Sequence, residues 1–115
     1  MAGNVLRFKA KAAMQSCCNL GIKLAVAESC TGGLLSEALT ALPGSSAFFD
    51  SGYITYSNSA KIEMLGVPAN LLARFGAVSP EVACAMAEGA LSHAKADASL
   101  GITGIAGPTG GSTEK

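Results

Sequence analysis

Residues 23–33 read KLAVAESCTGG, and this stretch decides the fold. Residues 23–27 form a short run, apolar after Lys23, the pattern of a buried strand. The turn Glu28-Ser29-Cys30-Thr31-Gly32-Gly33 follows directly. It opens a segment of helical composition, residues 32–42, which Pro43-Gly44 stops. A strand feeding a helix is the repeating unit of layered α/β domains, and such strand ends are where open sheets place ligands.

Working outward gives the same alternation. Upstream, Leu6, Ala10, Ala13, Met14, Cys17 and Leu20 recur at helical steps, with Gly21 placed to end the helix in a left-handed cap. Downstream, residues 48–56 are aromatic and β-branched, which predicts a second strand. Two short helices are expected next, one over residues 59–65 ending at Gly66. The other opens with Pro68 at its first position and ends at Gly76. Ser79-Pro80-Glu81 starts a longer helix running to about residue 94, and residues 98–103 form a third strand. The expectation is a three-layer α/β/α domain with a central sheet. After the last strand comes a glycine-rich polar stretch without periodicity, so a single domain truncated at its C-terminal end is expected.

Composition narrows the function classes. Of 115 residues, 50% are hydrophobic and 14% charged, enough apolar material for a packed core. Lys and Arg balance Asp and Glu at eight each, and the cations are scattered, which argues against direct nucleic-acid binding. No apolar run approaches the roughly 20 residues of a membrane-spanning helix, and no signal-peptide core is present, so a cytoplasmic protein is expected. Cys17, Cys18, Cys30 and Cys84 show no disulfide framework, and the adjacent Cys17 and Cys18 read as small core-filling residues on different sides of a helix. With one histidine, His93, no metal site is expected. His93 itself, among alanines late in a helix, reads as a surface or packing residue.

Three stretches carry candidate chemistry. Ser29 sits at the first strand–helix turn, where it is either an exposed nucleophile or, with Thr31, only a helix cap. Gly32 and Gly33 allow close backbone approach and offer amides to an anion or oxyanion. A serine needs a base, and Lys61, after the second strand, is the best placed if burial keeps it neutral. Its alternative is a solvated lysine on a first turn. The third stretch, residues 101–112, follows the last strand and therefore reaches the same sheet edge. It is neither a P-loop nor a dinucleotide fingerprint. Its backbone amides suit a phosphate, unless it is merely a flexible terminus.

Together, AESCTGG at 27–33, GSSAFF at 44–49, YITYSN at 53–58 with Lys61, GAVS at 76–79 and TGIAGP at 103–108 with Gly110-Gly111 resemble the CinA C-terminal family, the nicotinamide-nucleotide amidases also called PncC. The resemblance implies hydrolysis of the carboxamide of nicotinamide mononucleotide, giving nicotinate mononucleotide and ammonia. It implies Ser29 as nucleophile, Lys61 as general base and Tyr56 as a supporting hydroxyl, with no cofactor and no metal. Expected substrate contacts are Thr31, Gly32, Gly33, Ser45, Ser46, Thr103, Gly104 and Gly107. The expected partner is a small pyridine nucleotide, and a homo-oligomer is expected because open sheet edges favour self-association. The family pattern also implies further strands, a helix and a catalytic-site arginine beyond Lys115. Two other functions fit the same residues: a non-catalytic nucleotide-binding module, and an accessory protein in DNA uptake or damage response.

Overall fold

All five residues of β1 (Leu24–Glu28) are buried. The strand is central: β2 (Phe49–Ile54) lies on one side and β3 (Ala98–Ile102) on the other, both parallel to it. The computed structural model describes residues 2–105. The strand order β2-β1-β3 matches the start of a doubly wound sheet, whose ligand crevice lies at the carboxyl ends of β1 and β3.

One face of the sheet is covered by α1 (Ala2–Leu20) and α2 (Leu34–Thr40). There Ala10, Cys17, Leu24, Val26, Ala38, Leu39 and Phe48 form one core. The other face carries α3 (Asn58–Leu65), α4 (Ala69–Phe75) and α5 (Pro80–His93). Ala25 and Ala27 pack there with Leu65, Val67, Leu72, Val82, Met86 and Ala90. Successive residues of a strand point to opposite faces, so β1 supplies both cores. The three-layer α/β/α arrangement is as the alternation predicts.

Local chemistry sets the ends. Gly21, at φ 67°, closes α1, and the Cys17 and Cys18 carbonyls accept from Ile22 N and Gly21 N. Cys17 is buried and Cys18 exposed, while Leu20, counted in the apolar stripe, is 72% exposed at the last helical position. The Ser79 hydroxyl caps α5 by accepting from Val82 N at 3.2 Å, with Pro80 in the first turn. Pro68 is the N-cap of α4 rather than its first residue, because its ψ of 134° is extended. A 3-10 turn at Ser45–Ala47, unforeseen in the sequence, shortens β2 to begin at Phe49.

An irregularity in the β1–β2 register falls between Leu24 and Ala25, which pair with Phe49 and Ser51. The extra residue reverses which face the following β2 side chains occupy. Phe49 thus packs with α1 and α2, Tyr53 packs on the opposite side, and Gly52 comes under α2.

Candidate active site

The turn after β1 is held from both sides. Ser29 N donates to the Ile102 carbonyl at 3.1 Å, tying the turn to the end of β3, and Gly32 N donates to the Ser29 carbonyl at 3.1 Å. Gly33, at φ 115°, is the N-cap of α2 and has no side chain with which to cap it. The buried Glu28 carboxylate does so instead. Its Oε1 accepts from Thr31 Oγ1 at 2.7 Å and Leu35 N at 3.0 Å, and its Oε2 from Ser36 N at 2.8 Å and Ser36 Oγ at 2.5 Å. Burial pushes the Glu28 carboxyl up, but the hydrogen bonds from Ser36, Thr31 and Leu35 together outweigh it and hold it below the usual carboxylate range.

On the other face, Lys61 reaches Ser29. Ser57 caps α3 by accepting from Ala60 N at 3.0 Å, and Lys61 follows in the first turn. Lys61 is 1% exposed and Ser29 6%. Lys61 Nζ lies 2.9 Å from Ser29 Oγ, 3.0 Å from the Thr55 carbonyl and 2.9 Å from the Tyr56 carbonyl. No ion pair to Lys61 occurs among the described residues. Burial pulls its amine below the usual lysine range, with the neighbouring Cys30 thiol opposing.

These contacts fix what a neutral Lys61 does. Carbonyl oxygens only accept, so two N–H groups are committed to Thr55 and Tyr56. A neutral amine has only two hydrogens on nitrogen, and its lone pair is then left for the Ser29 hydroxyl. Protonated, Lys61 donates to all three oxygens; neutral, it can take a proton from Ser29 Oγ at hydrogen-bond distance. A cavity of about 240 Å³ opens beside the pair, lined by Ser29, Cys30, Tyr56, Asn58, Lys61, Ala77, Val78, Thr103, Gly104 and Ile105. The amides of Cys30 and Thr31 find no acceptor among the described residues.

The anticipated residues divide into those brought together here and those not. Ser29, Lys61, Thr103 and Gly104 meet at the cavity, where Thr103 Oγ1 also donates to the Ala77 carbonyl at 2.7 Å. Lys61 is not a solvated lysine, because its tip is enclosed by the ends of β1 and β2. Tyr56 meets the pair through its main-chain carbonyl while its side chain is 72% exposed, so its observed contact is not that of a supporting hydroxyl. Thr31 is committed to Glu28, and Gly32 and Gly33 shape the turn. Ser45 and Ser46 precede β2 and so lie at the opposite end of the parallel sheet from Ser29. Gly107 lies outside the described residues. His93 hydrogen-bonds the Gly89 carbonyl at the C-terminal end of α5, remote from the cavity.

Glu28 and Cys30 were missed as parts of the site. The signal for Glu28 was a carboxylate closing an otherwise apolar strand. Cys30 is half-buried and faces the cavity. No group of three His, Cys, Asp or Glu side chains able to hold a metal ion occurs among the described residues.

The family described as the CinA C-terminal domain matches residues 7–115. A CinA-like protein of Geotalea daltonii is 60% identical over 95 residues, covering 83% of this chain and 23% of that protein. One from Geobacter metallireducens is 59% identical with the same coverage. Among solved structures, the competence/damage inducible protein CihA of Agrobacterium tumefaciens superposes with a TM-score of 0.89 at 48% identity, covering 96% of this chain and 67% of that one. A competence-damaged protein (CinA) superfamily protein of Escherichia coli gives 0.88 at 40%, covering 92% and 62%. The chain thus spans under a quarter of the length of those curated relatives.

Proposed function

Because the chain belongs to the CinA C-terminal domain family, we propose that it carries the serine–lysine centre of an amidase that converts nicotinamide mononucleotide to nicotinate mononucleotide and ammonia. The observation that carries this reading is the buried 2.9 Å contact between Lys61 Nζ and Ser29 Oγ. In this reading Ser29 Oγ attacks the carboxamide carbon as its proton passes to Lys61. The amides of Cys30 and Thr31 are the candidate donors to the resulting oxyanion. Lys61 then returns the proton to the leaving nitrogen, releasing ammonia and a Ser29 ester. Water, deprotonated by Lys61, attacks the ester carbon, and the carboxylate leaves as Ser29 regains its proton. The same side chain acts as base, acid and base again, which a buried amine of lowered pKa suits.

The proposed partner is a small pyridine nucleotide, without direct nucleic-acid contact, in a cytoplasmic homo-oligomer. No helix among the described residues is long and apolar enough to cross a membrane. The test is ammonia release from nicotinamide mononucleotide by this chain, by a version extended to the length of the solved relatives, and by Ser29→Ala in each. Release that Ser29→Ala abolishes supports the serine amidase. An extended chain that binds the nucleotide without turnover overturns it in favour of a binding module.

A further inference from the structure

We infer that Glu28 is a positioning residue for the site: from the face of the sheet away from Lys61, its carboxylate fixes where the turn bearing Ser29 sits. The catalytic meaning of this role rests on the amidase reading above; the geometric meaning does not. Glu28 and Ser29 are consecutive, so their side chains leave the strand end on opposite faces, Glu28 toward α2 and Ser29 toward α3. Glu28 is fully buried and accepts four hydrogen bonds, one from Thr31 within the turn and three from Leu35 and Ser36 in the first turn of α2. Its own carbonyl accepts from Thr55 N at 2.8 Å, which ties the turn to the residue whose carbonyl holds Lys61.

At its φ of 115°, position 33 strains any capping side chain, so the cap of α2 comes from the strand end. A capping group at the strand end does something a local cap cannot: it clamps both the middle of the turn and the helix after it to the residue preceding the nucleophile. The clamp also dictates the partner strand. A Cβ on Gly52 would lie 2.6 Å from Ser36 Oγ and displace the hydroxyl that Glu28 holds. Only a carboxylate offers two acceptor oxygens to four donors; the amide nitrogen of a glutamine would face donors with further hydrogens.

Three variants of the full chain test this: Glu28→Gln, Ser36→Ala and Gly52→Ala, the last two leaving the carboxylate in place. Each is read by the rate at which phenylmethylsulfonyl fluoride sulfonylates Ser29, Ser29 Oγ displacing fluoride as Lys61 takes the proton. Turnover of nicotinamide mononucleotide is read as kcat and KM against pH. Glu28→Gln and Gly52→Ala are expected to slow labelling and kcat by about ten- to hundredfold, as a misplacement of the reacting atom of order 1 Å does. KM stays within about twofold, and the pH midpoint set by Lys61 does not move. Ser36→Ala, which removes one of the four bonds, falls between. Folded variants that label and turn over at the wild-type rate, with only their melting temperature lowered, overturn the proposal. Where Glu28→Gln does not fold, Gly52→Ala and Ser36→Ala decide. If labelling depends on Glu28 while even the unsubstituted version extended to the length of the solved relatives releases no ammonia, the amidase reading fails and the positioning role stands. An extended unsubstituted protein inert to both reagents overturns both.

Discussion

In the proposed reaction Lys61 is the residue on which the chemistry turns, and its burial makes two pH dependences. Only the neutral amine accepts the Ser29 proton, so kcat/KM for the amide should rise with pH through the lowered Lys61 pKa and then level off. Lys61→Arg, which stays protonated, should lose about a hundredfold or more and show no such rise; a pH–rate series on both proteins checks this. Stability follows the opposite bookkeeping of protons. The unfolded chain holds its lysine proton up to about pH 10.4, the folded one releases it earlier, so the unfolded state binds more protons between those values. Folding therefore carries its full cost below the lowered pKa, and stability should climb as pH rises from there toward 10.4. Urea midpoints across that window should show the climb in the wild type and a shallower one in Lys61→Met. Thr55 supplies a second test: its hydroxyl is buried with no partner among the described residues. Thr55→Val, of the same shape, should raise unfolding free energy by about 1 kcal/mol in a denaturant titration. At this scale the sequence was legible where a residue type is rare in its setting. Ser29 at a strand–helix turn and Lys61 after the next strand were readable. Glu28 was not, because a carboxylate at a strand end looks solvated until its four donors, three to eight residues on, are brought back over it.

The elements place these residues through their ends, and the ends can be tested separately. Ser57 caps α3, so Ser57→Ala should cost about 1 kcal/mol of stability and reduce turnover, because the helix it anchors carries Lys61. The measurement pairs chemical denaturation with kcat. Close packing between elements gives another prediction. A Cβ on Gly101 of β3 would run into the Ala83 carbonyl of α5, a backbone atom that cannot rotate away. Gly101→Ala should destabilise by about 1–3 kcal/mol, seen as a melting temperature lower by several degrees. Order and type of the elements were legible because periodicity changes cleanly along the chain: 3.6 in α1, an apolar run in β1, a hydroxyl–proline start at α5. What was not legible depends on pairing. The register irregularity at Leu24/Ala25 brings Gly52 under α2 and Tyr53 to the other face, and no local pattern in residues 48–56 announces it. The placement of Ser45 and Ser46 at the other end of the sheet from Ser29 was hidden for the same kind of reason. Spacing in sequence does not say which end of a parallel strand a turn occupies; direction in the sheet does.

Across the whole molecule, two surfaces are candidates for joining copies of the chain, as the sequence reading expects. On α1, Val5 and Phe8 are 56% and 68% exposed, but the helix carries Arg7, Lys9 and Lys11 and no acidic residue. Two such helices brought face to face set like charges against each other; Glu37 already engages Arg7 at 3.0 Å, leaving the two lysines to repel their counterparts. The other surface is the outer edge of β3, which among the described residues pairs only with β1 and exposes 47% of Leu100. An edge strand with an apolar side chain and no lysine or proline within it templates pairing with a further strand, either of a longer chain such as the solved relatives, of which this one spans 67% and 62%, or of a second copy. In the 115-residue chain the edge, not the helix, should therefore drive the self-association expected from the sequence. Sedimentation velocity over a concentration series should show it in the wild type and in Phe8→Lys. Leu100→Lys, which places a charge on the edge, should shift the chain toward monomer by about tenfold or more in dissociation constant. Association abolished by Phe8→Lys and untouched by Leu100→Lys would move the contact to α1 and require the partner surface to supply the anions that α1 lacks.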